Sequence, residues 1–163
     1  MKQAFSFSGP PRLNGEIFVP GDKSITHRAV MFGAFAGGTS CIETSCLGRD
    51  NLATIRIMRQ LGVQIGGELS ASMHALACEE GLAGFKKTTE SLCRLLIHGA
   101  GVDSLGKPDG VLDCGNSGTT ARLIAGVLAG RSFSAELTGD DSLRRRPFLR
   151  ITEPLSLMGA SFS

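Results

Sequence analysis

The stretch Pro20-Gly21-Asp22-Lys23-Ser24-Ile25-Thr26-His27-Arg28 brings an ammonium, a hydroxyl and a guanidinium to what reads as a helix start. A glycine turn ahead of a helix offers free backbone N–H groups and the positive end of the helix dipole, so it suits phosphate or carboxylate. With Lys23, Ser24 and Arg28 added, the turn has the groups to hold a multiply charged anion. A lone lysine on an amphipathic helix is commonly just a solvated charge. Here, however, Lys23 follows Pro20-Gly21, where the chain turns tightly, and Ser24 is placed to cap the helix.

A second such turn follows. Gly115-Asn116-Ser117-Gly118-Thr119-Thr120-Ala121-Arg122 lies over Gly21 to Arg28 without a gap, setting Thr120 on Thr26 and Arg122 on Arg28. Its small residues let an anion approach the backbone, although glycine-serine runs of this kind are also ordinary turns. A third basic element gathers Arg144, Arg145, Arg146 and Arg150. A solvated helix face and an anion-binding loop both fit that run; Arg146, just before Pro147, would open another helix.

Other chemistries find less support. There is no GxxxxGK[ST] and no GxGxxG after a strand, which disfavours a nucleotide site. His27, His74 and His98 lack metal-ligand spacing, as do Cys41, Cys46, Cys78, Cys93 and Cys114, so no metal and no cofactor is expected. With no recognisable signal peptide, the odd number of cysteines reads as reduced thiols of a cytoplasmic protein. The longest apolar run, Ala29 to Ala36, is too short to span a bilayer. A net charge of +2, with cations in glycine turns rather than along an aromatic-studded stripe, argues against nucleic acid.

The elements that would position these turns can be read from periodicity. Residues 3–8 and 15–19 alternate as two strands, Ser24 to about Ala36 is a helix, and Gly37-Gly38 caps its end. Thr39 to Thr44 is a β-branched strand, Asp50 caps a helix over 51–61, and Val63 to Ile65 starts another strand. After an excursion over 69–91, with a short helix near 71–80, strands return at Cys93–Ile97 and Gly110–Asp113. The second glycine turn then opens a helix to Ala129-Gly130, a strand over 133–138 and a helix ending at Gly159. This is a β-α-β-α unit duplicated at a period of about 95 residues, too long for a solenoid repeat. Twenty-two glycines, 42% hydrophobic residues and a mean hydropathy of +0.11 fit one globular α+β domain with many short elements.

Together, Pro20 to Arg28, Gly115 to Arg122 and Leu143 to Pro147 resemble the 5-enolpyruvylshikimate-3-phosphate synthase family in type, order and spacing. The resemblance runs from about Phe5 to Ser163 apart from the excursion. It implies the enolpyruvyl transferase fold, with β-α-β-α-β-β units repeated around pseudo-threefold symmetry in each of two domains. Residues 1–163 would be an N-terminal part of one: a first unit over about 15–113 and an incomplete second unit over about 114–163. The implied reaction moves the enolpyruvyl group of phosphoenolpyruvate to the 5-hydroxyl of shikimate 3-phosphate and releases phosphate, in aromatic amino-acid biosynthesis.

The resemblance also assigns roles. Lys23, Ser24 and Arg28 match positions that hold shikimate 3-phosphate. Lys23, Gly118 and Arg146 match phosphoenolpyruvate-binding positions, which also bind the analogue glyphosate, and Asn116 matches a position near them. Lys23 is in addition the catalytic candidate, as a group that helps protonate phosphoenolpyruvate. The family's main carboxylates lie in its other domain, so this chain alone is expected to be inactive; the full-length enzyme is expected to be monomeric. Two alternatives stay open: a non-catalytic phosphate-binding half-site, and the sister transferase acting on UDP-N-acetylglucosamine. The latter carries a cysteine before its Arg-Pro, where 139–145 here reads Gly-Asp-Asp-Ser-Leu-Arg-Arg.

Overall fold

A computed structural model describes residue 9, residues 14–17 and residues 19–163. The strand expected over 3–8 lies outside the described residues. Residues 15–17 and 19 form no strand. A strand needs a partner edge, and none of the described strands pairs with them; Ile17 and Val19 stand 83% and 76% exposed.

The first half builds one sheet with helices on one face. Helix α1 (Lys23–Phe35) leads into β1 (Gly37–Thr44), α2 (Arg49–Gln60) and β2 (Gln64–Ser70). The excursion is not a detached loop: it folds into α3 (Ala71–Glu79) and β3 (Phe85–Thr88), which returns parallel to β2 and extends the sheet. Strand β4 (Cys93–Ala100) then inserts antiparallel between β1 and β2, giving the order β1-β4-β2-β3. On β4, buried Cys93, Leu95 and Ile97 alternate with exposed Arg94, Leu96 and His98, so one face of the sheet meets the helices and the other meets solvent.

That packing is close. A Cβ at Gly99 would stand 2.2 Å from the Ala36 carbonyl oxygen and 2.3 Å from that of Gly33, so α1 crosses β4 where only glycine fits. From α2, Leu52, Ile55 and Met58 are fully buried, each contributing roughly 1.5–3 kcal/mol relative to exposure. They share one continuous core with Val30, Leu95 and Ile97, and with Leu112 and Ile124 of the second half.

The second half has shorter strands and runs β5 (Leu112–Asp113), α4 (Gly118–Ala129), β6 (Leu137–Thr138), α5 (Asp141–Arg144) and α6 (Leu149–Leu157). The strand expected over 133–138 shrinks to two residues because its only partner among the described residues, β5, is itself two residues long. An open cleft of about 1260 Å³, lined by Leu128, Phe133, Leu137 and Phe162 among others, lies in the second half.

Helix ends differ from expectation in four places. Asp22 rather than Ser24 caps α1, its Oδ1 accepting from Ile25 N at 2.7 Å, because a carboxylate outside the helix reaches the third N–H directly. Gly48 rather than Asp50 occupies the cap of α2, and its N–H donates to Asn51 Oδ1. Ala36 ends α1, so Gly37 and Gly38 already belong to β1, paired with Ala100 and Gly99. Arg146 opens no helix: it sits in the link between α5 and α6, and Phe148 precedes the first turn of α6.

Candidate functional site

The site is assembled by the first turns of three helices bonded to one another. At the start of α2, Asn51 Nδ2 donates to the Lys23 carbonyl oxygen at 3.0 Å. At the start of α4, Thr120 Oγ1 donates to the Asp50 carbonyl oxygen at 3.2 Å. The positive ends of α1, α2 and α4 therefore gather in one place, which is the electrostatic requirement for seating an anion. Asp22 and Ser117 cap α1 and α4 in the same way, each accepting from the third N–H of its helix.

Lys23 projects from α1 with its side chain 52% exposed, and its Nζ lies 2.8 Å from Asp50 Oδ2. The hydrogen bond and charge of Asp50 raise the Lys23 pKa above its ordinary value, so the ammonium is held protonated. Ser24 is half-buried beside it, and Arg28, one turn further along α1, is exposed. His27, between them in chain order, turns the other way and is fully buried. Burial lowers its pKa below the ordinary 6.5, so the imidazole stays neutral.

The second turn is tied to the loop before α6. Arg146 donates to Asn116 Oδ1 at 2.8 Å, and Asn116 Nδ2 donates to Asp140 Oδ2 at 2.6 Å. Asp140 also caps α5 through Leu143 N. The hydrogen bond from Asn116 and the one from Leu143 N lower the Asp140 pKa, keeping it a carboxylate. Gly118 begins α4 with two guanidiniums over it: a Cβ there would lie 2.5 Å from one terminal nitrogen of Arg122 and 3.0 Å from one of Arg146. Neither arginine has a carboxylate partner within 4 Å among the described residues. Arg122 rests over the Phe148 ring at 5.4 Å, and its Nε is buried without a partner.

The structure thus joins Lys23 to the start of α2, and Gly118, Asn116 and Arg146 to one another, with Thr120 linking the two groups. Arg28 takes no part in this web. Sequence reasoning missed Asp50 as the counterion of Lys23, Asp140 as the anchor of the second turn, and Arg122 as the second cation over Gly118. Only Arg122 had a sequence signal, its match to Arg28 in the repeat. The large cleft borders this site at Ala121, Arg146 and Phe148 and is otherwise lined by mixed polar and apolar residues of the second half. Among the described residues no helix is long and apolar enough to cross a membrane, and no group of three or more His, Cys, Asp or Glu gathers as metal ligands do.

The known proteins that this chain is similar to fall in one family. The model of the family EPSP synthase (3-phosphoshikimate 1-carboxyvinyltransferase) matches residues 7–79 and 80–163. The chain is 45% identical over 148 residues to the 3-phosphoshikimate 1-carboxyvinyltransferase of Bacillus subtilis, covering 91% of this chain and 29% of that protein. It is 43% identical over 151 residues to that of Desulforamulus reducens, covering 93% and 30%. An EPSP synthase structure from Acinetobacter baumannii superposes with a TM-score of 0.70 at 39% identity, covering 90% of this chain and 28% of that one. The chain therefore spans about 29% of the length of the relatives it matches.

Proposed function

The chain belongs to the EPSP synthase family, and from that premise we propose that its two glycine turns bind shikimate 3-phosphate and phosphoenolpyruvate for enolpyruvyl transfer. In that reaction the 5-oxygen of shikimate 3-phosphate bonds to the central carbon of phosphoenolpyruvate. Its proton is removed, the methylene carbon is transiently protonated, and the bond from that central carbon to the phosphate oxygen breaks to release phosphate. Lys23, Ser24 and Arg28 hold shikimate 3-phosphate. Gly118 and Arg146, with Lys23 between the turns, hold phosphoenolpyruvate, and Arg122 adds charge beside them. Two anions that repel each other in water are brought together by cations and helix ends fixed beforehand.

The observation that carries this reading is the mutual bonding of the first turns of α1, α2 and α4 at Asn51–Lys23 and Thr120–Asp50. Lys23 acts first as a clamp. With its pKa raised by Asp50 it is a reluctant acid, so donating a proton to the methylene carbon requires that Asp50 let go. These residues form one wall of the site, and the wall that supplies further acid and base groups lies outside this chain. The whole enzyme works as a cytoplasmic monomer without nucleic acid or membrane.

Calorimetric titration of the 163-residue chain with shikimate 3-phosphate tests the reading. Saturable binding that Lys23→Ala abolishes is the expected result, with no phosphate release in a steady-state assay. Absence of binding, or binding indifferent to Lys23, sinks the assignment of the first turn.

A further inference from the structure

Between the two glycine turns runs a line of four buried polar side chains that anion binding does not use. His27 Nδ1 lies 2.8 Å from Thr54 Oγ1, and Thr54 Oγ1 lies 2.8 Å from Thr120 Oγ1. Thr120 Oγ1 lies 2.7 Å from Ser117 Oγ. His27, Thr54 and Thr120 are 0% exposed and Ser117 1%. They come from α1, α2, α4 and the cap of α4, so the line crosses all three helices whose first turns meet at the site.

Counting hydroxyl protons gives the line a direction. The Asp50 carbonyl oxygen, 3.2 Å from Thr120 Oγ1, can only accept. The single proton of Thr120 is therefore directed to Asp50 or to Ser117, and its oxygen receives the proton of Thr54. Thr54 in turn has only its lone pairs left for His27, which must donate from Nδ1. That leaves His27 Nε2 as a bare acceptor, and it is buried with no partner among the described residues. A polar line of this kind is worth keeping in a core only if every link is made in one arrangement.

We propose that His27, Thr54, Thr120 and Ser117 form a directional strut that holds the second anion turn in register with the first, with Thr54 as the positioning residue. The proposal rests on the reading that both turns serve one site. Two independently mobile turns would each need to be ordered by their own ligand, whereas a strut presents both in a set geometry. Thr54 touches no substrate in this arrangement. It acts through Thr120, whose amide N–H and hydroxyl both meet the Ser117 cap.

The test needs no ligand. Nitrogen-15 NMR of the imidazole in the 163-residue chain is expected to find His27 protonated on Nδ1; a proton on Nε2 overturns the strut. Thr54→Val keeps the shape and removes the hydroxyl. It is expected to speed amide hydrogen exchange at Thr120 and Ala121 about tenfold, the effect of one lost buried hydrogen bond, while the amides of β4 keep their rates. Thr54→Ser restores the slow exchange. Unchanged exchange at Thr120, or an equal rise across β4, overturns the proposal. If Thr54→Val does not fold, the tautomer of the unsubstituted chain decides alone. Failure to bind shikimate 3-phosphate would remove the functional reading and leave the outcome for the strut intact.

Discussion

Lys23 Nζ and Asp50 Oδ2 are 2.8 Å apart, so an exposed cation of the site comes with its own counterion. An anion arriving at the first turn must compete with Asp50, and the strength of the site depends on how readily that carboxylate yields. The pair is largely exposed on the lysine side, and its contribution to folding is about 0–1 kcal/mol.

Asp50→Asn is therefore expected to bring the Lys23 pKa back down toward its ordinary value while leaving the fold intact. It should also tighten the binding of inorganic phosphate by a few-fold. Carbon-13 titration of the lysine side chain and calorimetry read the two effects. An unchanged Lys23 titration would show that the pair does not persist in solution.

Acid should weaken the fold through His27. Its folded pKa is depressed by burial, so the unfolded chain takes up a proton first as pH falls through the ordinary value of 6.5. Stability contributed by the neutral ring is present above that value and is lost as pH drops below it toward the folded pKa. Urea unfolding between pH 7 and pH 5 should show this decline, and in His27→Gln the part due to this ring should vanish.

The thiols divide sharply. Burial pushes the Cys114 pKa up to about 12, with the nearby Asp113 charge adding to the effect, and the side chain is inaccessible. Cys41 and Cys78 are exposed. Brief iodoacetamide treatment followed by peptide mass mapping should label Cys41 and Cys78 and leave Cys114 untouched until denaturant is added. Early labelling of Cys114 would show that the region around β5 opens readily.

Gly118→Ala should fold, because the atoms its methyl would meet are the far ends of two flexible arginines. Those arginines would be pushed off the helix start they now cover. In an enzyme completed by the rest of the family fold, phosphoenolpyruvate affinity should fall about tenfold or more, with shikimate 3-phosphate affinity changed much less. Equal losses for both substrates would tell against placing phosphoenolpyruvate at this turn.

Local pattern revealed what local physics determines. The glycine turns, the spans of α1, α2 and α4 within a residue or two, and even the short helix of the excursion follow from periodicity and breakers. What pattern missed are relationships across the chain. Asp50 reads as a cap from its neighbours, yet it serves as counterion to a lysine 27 residues away. Thr54 looks like one more small residue on an amphipathic helix until Thr120, 66 residues on, is set against it. Asp22 displaced Ser24 at the cap because side-chain reach, not residue preference, decided between two good candidates. The strand over 133–138 failed for a different reason: strand length belongs to a pair, and β5 offers only two residues.

The central place of β4 has a consequence for how the chain comes into being. Strand β4 is the last of the four in sequence, yet it lies between β1 and β2 and bonds to both. Until residues 93–100 are made, β1 has no edge to pair with and β2 has only the short β3, and the closure from Gly37 to Ala100 must span two helices and two strands. A nascent chain emerging from its N-terminus therefore carries α1 without the central strand it packs on. The first half folds only when its keystone strand arrives, and until then its apolar helices are the part most in need of a chaperone.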